Sequence, residues 1–168
     1  ITTLNDKTMH FEATEETRQR CRFDSIAAGA LLHVERAMCL GDRLDGHLVT
    51  GHVDGLARVV SITPVEGGQR YRFSPLDPSL LPMLAPRGSV ALDGVSLTLV
   101  GGDDTGFEVV LVPETLEATE LARLSPEDLV HVEVDLLARY VAHQLGITGD
   151  GSLRGGIDLE MLKRQGMA

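Results

Sequence analysis

The chain has 168 residues, 43% of them hydrophobic and 24% charged, and a formal net charge of −10 at neutral pH. This fits one sizeable globular domain or two small ones. It excludes a nucleic-acid footprint, which needs clustered positive charge and stacking rings, because there is no basic block, no Trp, two Tyr and four Phe. No apolar run approaches the roughly 18 residues of a membrane span, and no charged start precedes an apolar core, so neither a membrane anchor nor a signal peptide is expected. Cys21 and Cys39 have no metal-ligand spacing and suit reduced thiols, which points to the cytoplasm.

In chain order, segments rich in Val, Leu and Thr predict strands at about 1–4, 8–13, 30–38, 47–62, 69–74, 88–92, 95–100, 106–112 and 129–134. They are short, and Gly, Asp or Pro separates most of them. That spacing favours an antiparallel barrel or sandwich over alternating βαβ units. Gly67-Gly68 and the run Gly101–Gly106 read as hairpin loops. One or two helical turns fit Pro78–Leu84. A second helix is predicted from Pro113 to Leu121, with Pro at its start and Glu114 in its first turn. The best helix is Leu136–Leu145, capped by Asp135, with Leu136, Leu137, Tyr140, Val141 and Leu145 at helical spacing and Gly146 to end it. Thr148–Gly156 is Gly-rich and polar and reads as a linker, and Ile157–Gln165 carries the signal of a further short helix.

Two words carry chemistry. Residues 47–55 read His-Leu-Val-Thr-Gly-His-Val-Asp-Gly, and residues 93–98 read Asp-Gly-Val-Ser-Leu-Thr. A core strand has no need of His, Thr, Asp and Ser at that density, whereas a ligand groove at a barrel mouth does. His47 and His52, five apart in extended chain, point to opposite faces and cannot share one metal unless Gly51 bends the chain, so no metal site is expected. Each histidine either shapes a turn by bonding backbone or faces a ligand. Gly51 marks a bulge, a barrel corner or a close backbone approach to a ligand. Ser96 is not in a Gly-x-Ser-x-Gly elbow, so a hydrolase nucleophile is disfavoured. Gly94, Ser96 and Thr98 share one strand face, opposite Val95, Leu97 and Leu99. That polar face is either a solvated outer wall or a row of hydroxyls lining a pocket. Asp135 is a helix cap, a rim carboxylate able to act as a base, or both. Thr115 is a first-turn helix residue or a ligand-contacting hydroxyl.

The chain also repeats itself. Glu16-Thr17 recurs as Glu114-Thr115 and His33-Val34-Glu35 as His131-Val132-Glu133, both at an offset of 98 (114 − 16 and 131 − 33). Two short words at identical spacing imply two similar units. The segment before Glu16 has no room for a counterpart of Asp93–Thr98, so the chain is expected to start inside its first unit.

These words, with Pro113-Glu-Thr-Leu and Val132-Glu-Val-Asp-Leu-Leu-Ala-Arg-Tyr, resemble the lumazine-binding family, typified by riboflavin synthase. The resemblance covers about residues 1–147. It implies an all-β architecture of Greek-key six-stranded β-barrels, the first partial and the second complete, with a C-terminal helix. Residues 1–50 would be the remnant of the first barrel, 51–135 the second, 136–147 an oligomerisation helix and 148–168 a tail. The implied reaction is dismutation of two 6,7-dimethyl-8-ribityllumazine molecules to riboflavin and 5-amino-6-ribitylamino-uracil by four-carbon transfer, in a cytoplasmic homotrimer, with no metal or other cofactor. Ser96 and Asp135 match a catalytic Ser/Asp pair, and His52 a histidine near the reacting ring. Thr98, Thr115, Gly51 and His47 fall at substrate-contacting positions, Thr17 is the first-barrel equivalent of Thr115, and Arg87 stands where some members have Lys. A non-catalytic lumazine- or flavin-binding protein of the same fold is the alternative.

Overall fold

In the computed structural model, which describes residues 1–146 other than Asp6 and Asp45, the chain opens on a small hairpin, β1 (Thr3–Leu4) against β2 (Met9–His10). A short helix follows, α1 (Glu15–Arg20), capped by Thr14, whose hydroxyl accepts from the Thr17 N–H at 3.3 Å. After a 3-10 turn at Phe23–Ser25 the chain runs without a strand to Asp54.

Six strands then close into an antiparallel barrel: β3 (Gly55–Val65), β4 (Gly68–Pro75), β5 (Ser89–Leu92), β6 (Val95–Asp103), β7 (Gly106–Leu111) and β8 (Leu129–Val134), in the spatial order β3-β4-β7-β6-β5-β8. β5, β6 and β7 form a meander and β4 lies beside β7, which is a Greek key. β3 closes on β8, with Gly55 opposite Val132 and Arg58 opposite Leu129, so no barrel strand keeps an open edge. A helix, α2 (Pro113–Ala118), and a 3-10 turn at Glu120–Arg123 link β7 to β8, and α3 (Leu136–Gln144) follows the barrel.

Period-2 alternation fills the interior. Leu97 and Leu99 of β6, Phe107, Val109 and Leu111 of β7, and Val130, Val132 and Val134 of β8 are all buried. Phe73 stacks between Tyr71 and Phe107 at centroid distances of 6.1 and 5.4 Å. The buried Tyr71 hydroxyl donates to the Leu121 carbonyl at 3.3 Å, which ties the β7–β8 connection to the core.

Several sequence expectations change. No strand forms over 30–38. A strand needs a neighbour for its N–H and C=O groups, and among the described residues this segment has none. The strand expected over 47–62 begins only at Gly55, because Gly51 turns at φ +79° and a side chain takes the amides of Thr50 and Gly51 out of any ladder. The loop at Gly101–Gly106 shrinks to Asp104–Thr105, since Gly101, Gly102 and Asp103 pair with β7 beyond a bulge. The helix at Pro113 breaks after Ala118 and resumes as the 3-10 turn. The expected tail and its short helix lie outside the described residues.

The sequence repeat is also a structural one. α1 and α2 begin and end 98 positions apart (113 − 15 and 118 − 20), each followed by a 3-10 turn. The offset alone would have placed a helix at α1, which hydropathy patterning missed.

Candidate functional site

The site lies on the outer wall of the barrel. Asp93 and Gly94 make the two-residue turn between β5 and β6, at φ 44° and 83°. Such a turn needs positive φ at both positions, which Asp and Gly tolerate. The register sets Ser96 opposite Ala91, and Ala91 opposite Glu133 of β8. Three strands thus carry Ser96, Ala91 and Glu133 in one outward row, about 10 Å from end to end at the strand spacing. Ala91 faces outward yet is 1% exposed. The strandless segment through Leu31–Val53 crosses this wall and shares a cleft with it.

His47 meets Ser96 there, with its Nδ1 2.8 Å from the Ser96 Oγ. Its Nε2 is buried and has no hydrogen-bond partner. Gly46 permits this approach: a Cβ at that position would sit 2.8 Å from the Ser96 Oγ. Glu133, 6% exposed, accepts from the Thr50 N–H at 2.7 Å, the Thr50 hydroxyl at 2.9 Å and the Gly51 N–H at 3.1 Å. The Thr50 hydroxyl is also 2.8 Å from the Nδ1 of His52.

The cleft between covering segment and wall measures about 1220 Å³, with His47, Ser96, Glu133, His131 and Glu35 on its sides. A second cavity of about 450 Å³ is lined by Thr17, Arg20, His52, Asp54 and Arg139, among others, and Gly51 borders both. Of the residues singled out from sequence, the structure brings His47, Gly51 and Ser96 to the larger cleft, and Thr17, Gly51 and His52 to the smaller. Thr98 is exposed on β6 one outward position beyond Ser96, opposite Ser89. Thr115 is on α2 and Arg87 is exposed just before β5 in the left-handed region at φ 67°; neither borders either cavity. Asp135 caps α3, its Oδ1 accepting from the Leu137 N–H at 2.8 Å, and no direct hydrogen bond joins it to Ser96. No cluster of three or more His, Cys, Asp or Glu able to hold a metal occurs among the described residues.

Asp54 fixes the helix against the site. Its carboxylate takes both terminal nitrogens of Arg139, at 2.7 and 2.8 Å, and the Val134 N–H at 2.8 Å. Such a two-pronged pair sets direction as well as distance. Burial pushes the Cys21 thiol up, so this thiol at the smaller cavity stays protonated and is a poor nucleophile.

The two repeats clasp each other at Asp93. The Arg22 N–H donates to the Nε2 of His131 at 3.1 Å, and the Glu120 N–H to the Nε2 of His33 at 2.8 Å. These contacts are equivalents, since 22 and 33 become 120 and 131 at the repeat offset. An amide can only donate, so both rings carry their proton on Nδ1. The Nδ1–H of His131 reaches the Asp93 carboxylate at 2.9 Å and that of His33 the Asp93 carbonyl at 2.8 Å. Arg22 adds an ion pair to Asp93 at 2.9 Å. Burial alone would raise the Asp93 carboxyl; hydrogen bonds from the ring and backbone of His131 and the Arg22 charge outweigh it and hold the group below its ordinary value.

Sequence reasoning did not single out Glu133, Thr50, Asp54, Asp93 or Arg139. All lie inside the quoted words. The available signal was Glu133, an acidic residue at an alternating position of an apolar strand that recurs in the repeat as Glu35.

A family model described as the lumazine binding domain matches residues 50–135. The riboflavin synthase of Brucella abortus is 40% identical over 139 residues, covering 82% of this chain and 68% of that protein. That of Actinobacillus pleuropneumoniae is 29% identical over 166 residues, covering 99% and 77%. That of Mycobacterium bovis is 33% identical over 152 residues, covering 89% and 75%. A crystal structure of LumP complexed with flavin mononucleotide aligns with a TM-score of 0.48 at 22% identity, over 52% of this chain and 49% of that one. The chain belongs to the lumazine-binding domain family, among relatives named riboflavin synthase.

Proposed function

We propose that this chain is a riboflavin synthase, which exchanges a four-carbon unit between two molecules of 6,7-dimethyl-8-ribityllumazine to give riboflavin and 5-amino-6-ribitylamino-uracil. The observation that carries this reading is the meeting of Ser96 and His47, 49 residues apart in sequence, at 2.8 Å on the wall of a cleft of about 1220 Å³. Losing a proton from the ring methyl of a lumazine leaves a delocalised anion, so a hydroxyl–imidazole pair is base enough. Most of the rate then comes from holding two rings together. The cleft exceeds the roughly 300–1,000 Å³ of a single-ligand pocket. The orphaned Nε2 of His47 suits a polar atom of a ring or ribityl chain. In this reading residues 51–135 form the ligand barrel and 1–50 part of another. Thr98, Thr115, Arg87 and Asp135 line neither cavity and would meet a substrate on the open side of the wall, which suits a site shared between subunits. The thiols of Cys21 and Cys39 are unpaired, in keeping with the cytoplasm.

The test is incubation of the full chain with the lumazine. Saturable quenching of its fluorescence is expected, with one riboflavin formed for each two lumazines consumed. Quenching without riboflavin would favour the non-catalytic binding protein. No saturable change would sink both readings.

A homotrimer is part of the proposal. On α3 and its C-cap, Leu137, Tyr140, Val141 and Leu145 are each more than half exposed, and Ala142 is the only buried residue of the helix. An apolar stripe of that kind calls for partner helices. Changing Leu137 and Val141 together to Asp is expected to reduce the sedimenting mass to that of one chain while barrel unfolding is unchanged. A mass equal to the parent's would show that the stripe is not the assembly surface.

A further inference from the structure

We infer that Glu133 and Thr50 form a relay that holds His52 as its Nδ1–H tautomer and leaves Nε2 as a lone-pair acceptor at the smaller cavity. The inference rests on the proposed reaction for its use, but not for its geometry. An ionised carboxylate accepts and cannot donate. The Thr50 hydroxyl has one proton, and at 2.9 Å it donates that proton to Glu133. The same hydroxyl lies 2.8 Å from the Nδ1 of His52, so in that contact it must accept. The proton of the second bond therefore belongs to the ring, and Nε2 is unprotonated in neutral His52. This is the less common form of a free imidazole in water, so a surrounding structure has to impose it.

Glu133 is built for that task. It is the one buried charged side chain among the described residues, and both its oxygens are directed at the Thr50–Gly51 bend. Its strand fixes it in the row with Ala91 and Ser96. The bend positions Thr50 and so fixes the ring two residues later. Glu133 and Thr50 are thus positioning residues, and His52, which borders the smaller cavity, is the group that would take or deliver a proton through Nε2. In hydrolytic triads a carboxylate takes the Nδ1–H of the histidine directly and so fixes the same tautomer; here the Thr50 hydroxyl stands between the carboxylate and the ring.

The test reads the tautomer directly, by long-range ¹H–¹⁵N correlation spectra of the full chain labelled at histidine, at a pH where the ring is neutral. His52 is assigned from the signal set lost in His52→Asn. The parent is expected to show a protonated Nδ1 and a bare Nε2. Thr50→Val keeps the side-chain shape and removes the hydroxyl, and it should invert the ratio in favour of Nε2–H; Thr50→Ser should retain the parent pattern. Glu133→Met removes the acceptor, so the Thr50 hydroxyl can turn to donate to Nδ1, and the ratio should invert again. Thr50 is on the surface, so Thr50→Val remains informative if Glu133→Met does not fold. A parent ring protonated on Nε2, or a ratio unmoved by Thr50→Val, overturns the relay. Turnover is a separate arm: in an active chain, kcat of Thr50→Val should fall about tenfold, less than the roughly 10²-fold of losing an acid–base group itself, with KM within about twofold. Failure of the proposed reaction would silence this arm and leave the spectra to decide.

Discussion

Ser96→Ala is expected to lower riboflavin formation by about 10²-fold, the scale of losing a general acid–base partner, while lumazine affinity falls only a few-fold. The side chain stands on the exposed face of β6, so its removal leaves the barrel core of Leu97 and Leu99 intact, and the loss would not reflect unfolding. Two partners compete for it. Family resemblance pairs Ser96 with Asp135, whereas the structure pairs it with His47 at 2.8 Å and gives Asp135 the Leu137 amide. Asn caps helices as well as Asp, so Asp135→Asn should keep α3 and its stability. If Asp135 acts as a base when the site is assembled, that variant nonetheless loses about 10²-fold in turnover. His47→Gln decides the other pairing. Residues that act as a unit are non-additive, so the variant carrying both Ser96→Ala and His47→Gln should be little worse than the poorer single one. Turnover within a few-fold of the parent for Ser96→Ala would remove the serine from the chemistry and leave it a binding hydroxyl.

The sequence made the barrel legible because its strands are short and half-buried. The alternation through Val95–Val100 showed which face of β6 would be inside, and the structure buries that face. The repeat was legible for the same reason, since it is written in identical words. What could not be read was the course of residues 30–54. Strand propensity describes a residue's fit to a pleated surface and presumes a neighbouring strand. Here the amides of Thr50 and Gly51 are taken by a side chain far away in sequence, Glu133. Local pattern carries no information about such contacts. The pairing of Ser96 with His47 was hidden likewise: both residues stood out, but only the crossing of the covering segment over β5 and β6 joins them. Asp93 was not singled out because its partners, Arg22 and His131, lie 71 and 38 residues away in sequence.

Asp93→Asn is expected to destabilise the chain by about 2–3 kcal/mol at neutral pH, the scale of leaving a part-buried charge without its partner. Asn tolerates a positive φ as Asp does, so the turn at φ 44° is not strained by the change. The amide oxygen can still accept from the Nδ1–H of His131, and the backbone carbonyl still serves His33. What disappears is the charge opposite Arg22, whose guanidinium is about two-thirds shielded and whose Nε is already buried without a partner. The loss falls on the contact that clasps α1 and the covering segment to the barrel, so lumazine affinity should drop with stability. The pH dependence separates this from a packing defect. The Asp93 carboxyl is held below its ordinary value in the folded chain. Its contribution is therefore fully present above the unfolded value of about 3.9 and is lost as pH falls through the lower folded value. The stability gap between parent and Asp93→Asn, measured by denaturant unfolding, should be constant from about pH 5 upward and should narrow below about pH 4. Equal stability at pH 7, or a gap undiminished in acid, would show that the Asp93 charge does not hold the two repeats together.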